Sequence, residues 1–147
     1  MIPFCGYNMA DYFAHWMAMG AGTLPEANKT PPKIFHVNWF RKGTDGKFLW
    51  PGFGENLRVL QWILARCRGK GEALETPIGH IPATGGLDVS GLNLPQETME
   101  QLLRVDAAAW AHETPNYRSS TREFGQRLPA EITRQHDEQK RRLAEAR

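Results

Sequence analysis

Behind Asn8, a residue type that caps helices, the apolar residues Met9, Tyr12, Phe13, Trp16 and Met17 recur at helical spacing. With Asp11 in the first turn, the pattern predicts a helix that Gly20 brings to an end. Residues Gly20 to Pro32 gather Gly, Thr, Pro and Asn without periodicity and are expected to form a surface connection. The period then changes to two. From Lys33 to Phe40, one side carries Phe35, Val37 and Trp39 and the other Ile34, His36, Asn38 and Phe40, which predicts a strand. Lys42 to Lys47 contains Asp45-Gly46, a pair that favours the positive backbone angles of a hairpin turn, and Phe48-Leu49-Trp50 is expected to return as a short strand. Pro51-Gly52-Phe53-Gly54 breaks that pattern. A helix is predicted from Glu55 or Asn56 to Cys67, with Val59, Leu60, Ile63 and Leu64 as its buried stripe and Gly69 closing it.

Residues 76–93 hold several Pro and Gly among short apolar pieces such as Ile78 to Ile81, so an irregular crossing with at most a brief strand is expected there. Three further helices are predicted, over Gln96 to Leu103, Asp106 to about Phe124 and Glu131 to Ala146, with Pro95, Pro115 and Pro129 as starts or interruptions. The stretch from Gln135 onward is so charged that it is expected to lie on the surface or to fray. The resulting fold class is α+β: a small β-hairpin or short sheet with flanking helices, and a helical C-terminal part over residues 95–147.

Composition adds bounds. The chain has 147 residues, 41% of them hydrophobic and 23% charged, which suits one globular domain with its own core. Eighteen basic residues against 16 acidic ones give a formal charge of +2, too small to point to nucleic acid or to an anionic membrane. Cys5 and Cys67 form neither a CxxC pair nor a zinc-site spacing, no apolar run is long enough to span a bilayer, and the N-terminus does not read as a signal peptide. A reducing, cytoplasmic setting is therefore expected. The apolar opening Met1-Ile2-Pro3-Phe4 reads like the interior of a larger fold.

Candidate chemistry concentrates between Trp39 and Asn56. Trp39, Phe40, Phe48, Trp50 and Phe53 put five aromatic rings on the hairpin and the turn after it, and Phe53 stands between two glycines that let a ligand approach the main chain. A purine needs apolar faces above and below and polar groups at its edge; Phe40, Phe48 and Phe53 offer faces, and Asn56 an amide edge beside the unpaired N–H groups of a helix start. The competing reading is that alternating aromatics on a hairpin are simply core. Arg41 and Lys42 could meet phosphate or be solvated flanks of the turn. His15, His36, His80, His112 and His136 are scattered without metal-ligand spacing.

The run from Phe35 to Lys42, followed by Phe48-Leu49-Trp50-Pro51-Gly52-Phe53-Gly54-Glu55-Asn56, resembles the guanine-binding region of GTP-dependent phosphoenolpyruvate carboxykinases. Pro3 to Asn8, with Asp11-Tyr12 and His15-Trp16, resembles the preceding segment in that family, and Thr76-Pro77-Ile78-Gly79 continues the likeness. The resemblance implies that residues 1–147 are a piece of the family's C-terminal nucleotide-binding domain, with the guanine-binding region at 33–67. It implies that Phe40, Phe48 and Phe53 clamp the base, that Asn56 and the backbone of Gly54 and Glu55 bond its edge, and that Phe4 sits near the substrate cavity. The family converts oxaloacetate and GTP to phosphoenolpyruvate, GDP and carbon dioxide in gluconeogenesis, assisted by manganese and magnesium, and the intact enzyme is expected to be monomeric. Ile2 departs from the arginine that many relatives carry.

No GxxxxGK[ST] phosphate loop occurs in these residues. The phosphate loop, metal ligands and substrate arginines are expected upstream of Met1, so no catalytic residue and no metal ligand is assigned here, and the chain alone is expected to be inactive. The missing upstream part of the enzyme is then a candidate partner, beside the guanine nucleotide. Two alternatives stay open: a non-catalytic module stacking single-stranded RNA on the same aromatics, and a purely structural domain.

Overall fold

A computed structural model of the chain describes Phe4, residues 6–22 and residues 32–146, without the side chains of residues 115–118 and 120. Ile2, Cys5 and most of the connection expected over 20–32 lie outside the described residues. The elements are α1 (Met9–Gly20), a short 3-10 turn (Phe53–Glu55), α2 (Asn56–Cys67), β1 (Ala73–Thr76), β2 (Gly79–Pro82), α3 (Gln96–Leu103), α4 (Ala107–Thr121), a second 3-10 segment (Arg122–Arg127) and α5 (Ala130–Glu145). They group into two compact units, one of residues 1–32 with 106–147 and the other of residues 33–105.

In the first unit, the Asn8 side chain accepts from the Ala10 N–H at 2.9 Å, so α1 starts where its cap predicts. The first turn is the buried one. Met9, Ala10 and Phe124 form the core, with Tyr12, Phe13 and Leu128 packed around them, and Phe13 meets Phe124 edge-on at 5.9 Å. Further along α1, Trp16 and Met17 are exposed. Asp106 caps α4 by accepting from the Ala109 N–H, and α4 runs continuously across Pro115 rather than starting or breaking there.

α5 packs against α4. The charged end lies on the surface, as its composition predicts, with most of its residues exposed or half-buried, but α5 is a continuous helix to Glu145, and Leu143, 1% exposed, and His136 are buried on its inner face. Its outer face is tied by local ion pairs, Arg134 with Glu131 at 2.7 Å and Arg141 with both Glu138 and Glu145. The Arg134 and Gln135 hydrogen bonds hold the Glu131 carboxyl below its ordinary value of 4.5, and Arg141 does the same to Glu138. A depressed folded-state value stabilises the helix above the ordinary carboxyl range, and the contribution is lost as pH falls through that depressed value. The protection of α5 backbone amides, their exchange measured against the intrinsic rate at each pH, is therefore expected to fall on acidification below pH 4.5, and less so in Glu131→Gln, which has no carboxylate to titrate.

The second unit is built on α2. The buried side chain of α2 is Trp62, whose Nε1 donates to the Glu72 carbonyl at 2.9 Å and whose ring meets Phe35 edge-on at 6.0 Å. The predicted stripe is thus only half right. Val59 and Ile63 are partly buried, while Leu60 and Leu64 are exposed and Trp62 takes the inward position. β1 and β2 pair antiparallel with Leu74 opposite Ile81 and Glu75 opposite His80, around a Pro77-Ile78 turn. β2 is the brief strand allowed within residues 76–93, and the unexpected element is its partner β1, which precedes that stretch; Pro77 pre-sets the turn angle between them.

Lys33 to Asn38 forms no strand, and residues 42 and 48 make one isolated bridge rather than a ladder. The alternating side chains are present, but no second strand is laid beside them to supply ladder hydrogen bonds.

Candidate functional site

The turn chemistry of residues 41–50 is the one the sequence predicts. The Gly43 N–H donates to Lys47 O at 2.9 Å, the Leu49 N–H to Arg41 O at 2.9 Å, and Asp45 Oδ1 accepts from the Lys47 N–H at 3.0 Å. Gly46 takes φ 76°, the left-handed angle that glycine permits. This closure brings Phe40 and Phe48 together. Their ring centroids lie 5.8 Å apart at 61°, and they are 71% and 56% exposed. Lys42 Nζ lies 5.4 Å from the Phe48 centroid, a cation over an aromatic face. Arg41 instead donates to Leu102 O at 3.1 Å and to Arg104 O, so it satisfies carbonyls at the C-terminal end of α3.

Phe53 has φ 47°, the sole non-glycine with a positive φ among the described residues, and is 95% exposed. The left-handed region costs an L-residue about 1–3 kcal/mol, and this ring gains no burial to offset it. Gly52, at φ 80°, leads the chain into that geometry. Phe53 then opens the 3-10 turn that feeds α2 without a gap.

Asn56 begins α2 and is held from behind. The buried Trp50, 5% exposed, donates its indole Nε1–H to Asn56 Oδ1 at 2.9 Å. An indole nitrogen only donates, so the amide oxygen must face Trp50 and the Nδ2 group must face away. Glu55 turns its carboxylate to Arg58 at 2.6 Å, and its N–H donates to Gly52 O at 3.1 Å. Arg58 also donates to Asp88 O at 2.9 Å. Hydrogen bonds from the Ser90 side chain and backbone, with Arg58 nearby, hold the Asp88 carboxyl below its ordinary range.

Within one unit, then, the fold gathers Phe40, Phe48, Phe53, Gly54, Glu55 and Asn56 on one short stretch of chain. Phe40 and Phe48 touch each other, and neither ring packs on Phe53. A base between two parallel rings needs about 7 Å from ring to ring, twice a van der Waals contact. The pair is too close and too tilted for that. The core reading of these three phenylalanines does not hold, because all three are exposed. Phe4 belongs to the other unit and is exposed.

Trp50 and Arg58 are the supporting residues that sequence reasoning missed. A signal for Trp50 existed, since a buried indole N–H needs an acceptor and an asparagine lies six residues on. No group of three His, Cys, Asp or Glu side chains that could hold a metal occurs among the described residues, so the residues present do not fit manganese or magnesium. No helix of the described residues is long and apolar enough to cross a membrane.

Comparison with known proteins places the chain in a family. A family model described as the phosphoenolpyruvate carboxykinase C-terminal P-loop domain matches residues 1–142. The chain is 51% identical over 147 residues to a phosphoenolpyruvate carboxykinase [GTP] of Neocallimastix frontalis, covering 99% of this chain and 24% of that protein. It is 49% identical over 133 residues to one of Treponema pallidum subsp. pallidum, covering 90% of this chain and 21% of the relative. With one of Thermoplasma volcanium it shares 45% identity over 143 residues, 97% of this chain and 23% of the relative. The chain thus spans about a quarter of the length of the curated relatives it matches. On these matches, the chain belongs to the GTP-dependent phosphoenolpyruvate carboxykinase family and corresponds to part of its C-terminal domain.

Proposed function

We propose that residues 33–67 form the guanine-nucleotide pocket of a GTP-dependent phosphoenolpyruvate carboxykinase. The observation that carries this reading is Phe53: a bulky ring held at φ 47° and 95% exposed is strained without any gain from burial. A planar ligand supplies the missing compensation. The base lies over the outward faces of Phe40 and Phe48, Phe53 closes on it, and Asn56 and the Gly54–Glu55 backbone meet its edge. The outward Nδ2 group of Asn56 donates to the guanine O6, an acceptor that adenine lacks.

In the whole enzyme this pocket holds GTP while its γ-phosphoryl group passes to the enolate left by decarboxylation of oxaloacetate, giving phosphoenolpyruvate, GDP and carbon dioxide for gluconeogenesis in the cytoplasm. Phe4 stands near the substrate cavity, and the intact enzyme acts as a monomer. Manganese and magnesium serve the family reaction through residues other than those described here. This chain carries no GxxxxGK[ST] segment and is inactive without the remainder of the enzyme.

Titration of the 147-residue chain with GDP and ADP, followed by tryptophan fluorescence, tests the pocket. Stacking contributes about 1–3 kcal/mol per base, so without phosphate anchors the affinity is expected near millimolar. GDP should quench Trp39 or Trp50 at lower concentration than ADP. A preference for single-stranded RNA that fades steeply with salt would favour the RNA-stacking reading instead, and no response to any of them would leave a structural domain.

A further inference from the structure

We propose that Trp50 is a specificity-determining positioning residue: its indole N–H fixes the Asn56 amide in the one orientation that favours guanine over adenine. The proposal rests on the pocket reading above and adds the origin of its selectivity. An asparagine amide is nearly symmetric in shape but not in chemistry, since one end accepts and the other donates. Left free, it can turn over and suit either purine, donating to the O6 of guanine or accepting from the N6 amino group of adenine. Here the choice is made before a ligand arrives.

Trp50 Nε1 stands 2.9 Å from Asn56 Oδ1, and a flipped amide would set N–H against N–H at that distance. The indole is buried at 5% exposure, so water does not readily take the place of the amide oxygen as its acceptor, and flipping would leave a buried donor unpaired. Asn56 is half-buried, and no described residue is seen to accept from its Nδ2 group. The 3-10 turn and the start of α2 fix the Asn56 backbone at φ −60°, ψ −27°, so its side chain leaves from a defined point. Adenine would then bring its amino donor against the Nδ2 donor, whereas guanine brings an acceptor. Trp50 touches no ligand in this scheme and acts only through Asn56.

The test compares the parent chain with Trp50→Phe, which keeps an aromatic ring but has no N–H. Binding of GDP, IDP and ADP is followed by saturation transfer to the purine H8 proton, which suits weak ligands and does not depend on tryptophan emission. IDP carries the O6 acceptor without the 2-amino group, so it isolates the contact at issue. The parent is expected to bind GDP and IDP about tenfold more tightly than ADP, the usual size of one mismatched polar contact. In Trp50→Phe that gap should shrink to about threefold or less, with ADP gaining as GDP and IDP weaken. Equal weakening of all three nucleotides, or an unchanged preference, would overturn the proposal. A parent chain that binds no purine would instead overturn the pocket reading, and this inference with it. Should Trp50→Phe fail to fold, Asn56→Ala serves with a separate measurement: the Trp50 indole N–H, slow to exchange in the parent, should exchange at least tenfold faster once its acceptor is gone. Unchanged exchange would rule out the anchor.

Discussion

Replacing Phe53 by alanine is expected to weaken GDP binding by about fivefold to a hundredfold while leaving the unfolding midpoint of the chain within experimental error. Both halves follow from its surroundings. The ring is 95% exposed, so its removal takes almost no apolar area out of the core, and a surface change of this kind alters stability by no more than about 0.5 kcal/mol. A stacked base, by contrast, loses about 1–3 kcal/mol with its ring partner, and the lower half of that range already approaches tenfold. Phe53→Gly sharpens the test. It removes the same ring and also releases the strain of φ 47°, so it should bind no better than Phe53→Ala but unfold at higher denaturant, by about 1 kcal/mol. Calorimetric denaturation with GDP titration on both variants would check the pair of outcomes. Undiminished GDP affinity in either one would remove Phe53 from the pocket, and a large loss of stability in Phe53→Ala would mean that the ring is structural after all.

The exposed, strained state of Phe53 was not legible in the residues. Pro51-Gly52-Phe53-Gly54 announces an unusual backbone, but a sequence pattern does not distinguish a ring facing solvent from one folded inward. Signals that reside in a single turn of chain were legible. Asn8 caps α1, Asp45-Gly46 makes the hairpin turn, and α3 spans Gln96–Leu103, with limits set by Pro95 and by the extended backbone of Arg104. Features that depend on whether another segment comes to lie alongside were not. Residues 33–40 alternate like a strand yet have no ladder neighbour, and β1 is formed by Ala-Leu-Glu-Thr, a weak strand sequence, because β2 returns beside it. Similarly, Arg41 is a plausible phosphate ligand by type, and only the position of the α3 carbonyls shows it to be engaged elsewhere.

The inner face of α2 yields the largest expected effect on stability. Val59, Leu60, Ile63 and Leu64 form as reasonable a stripe as Val59, Trp62 and Ile63, since apolar residues cover a broad arc of this helix. Packing decides in favour of Trp62, which meets the Phe35 ring and bonds to Glu72 just ahead of β1. One side chain therefore links the segment before the aromatic hairpin, the helix that carries Asn56, and the β-hairpin. Trp62→Ala is expected to cost about 3–5 kcal/mol, combining lost burial with a cavity that a small unit cannot readily refill. Against a typical domain stability of about 5–15 kcal/mol, that loss should bring unfolding to low denaturant or populate a partly unfolded state. Trp62→Phe keeps a ring against Phe35 and removes the indole donor from the Glu72 carbonyl, which retains the Ala83 N–H, for an expected cost of about 0.5–1.5 kcal/mol. Guanidinium denaturation read by far-ultraviolet circular dichroism should rank parent, Trp62→Phe and Trp62→Ala in falling order of stability, and amide exchange in β1 should quicken in the same order. A Trp62→Ala chain within about 1 kcal/mol of the parent would show that this indole is not the centre of the unit, and the outward placement of Leu60 and Leu64 would lose its physical basis.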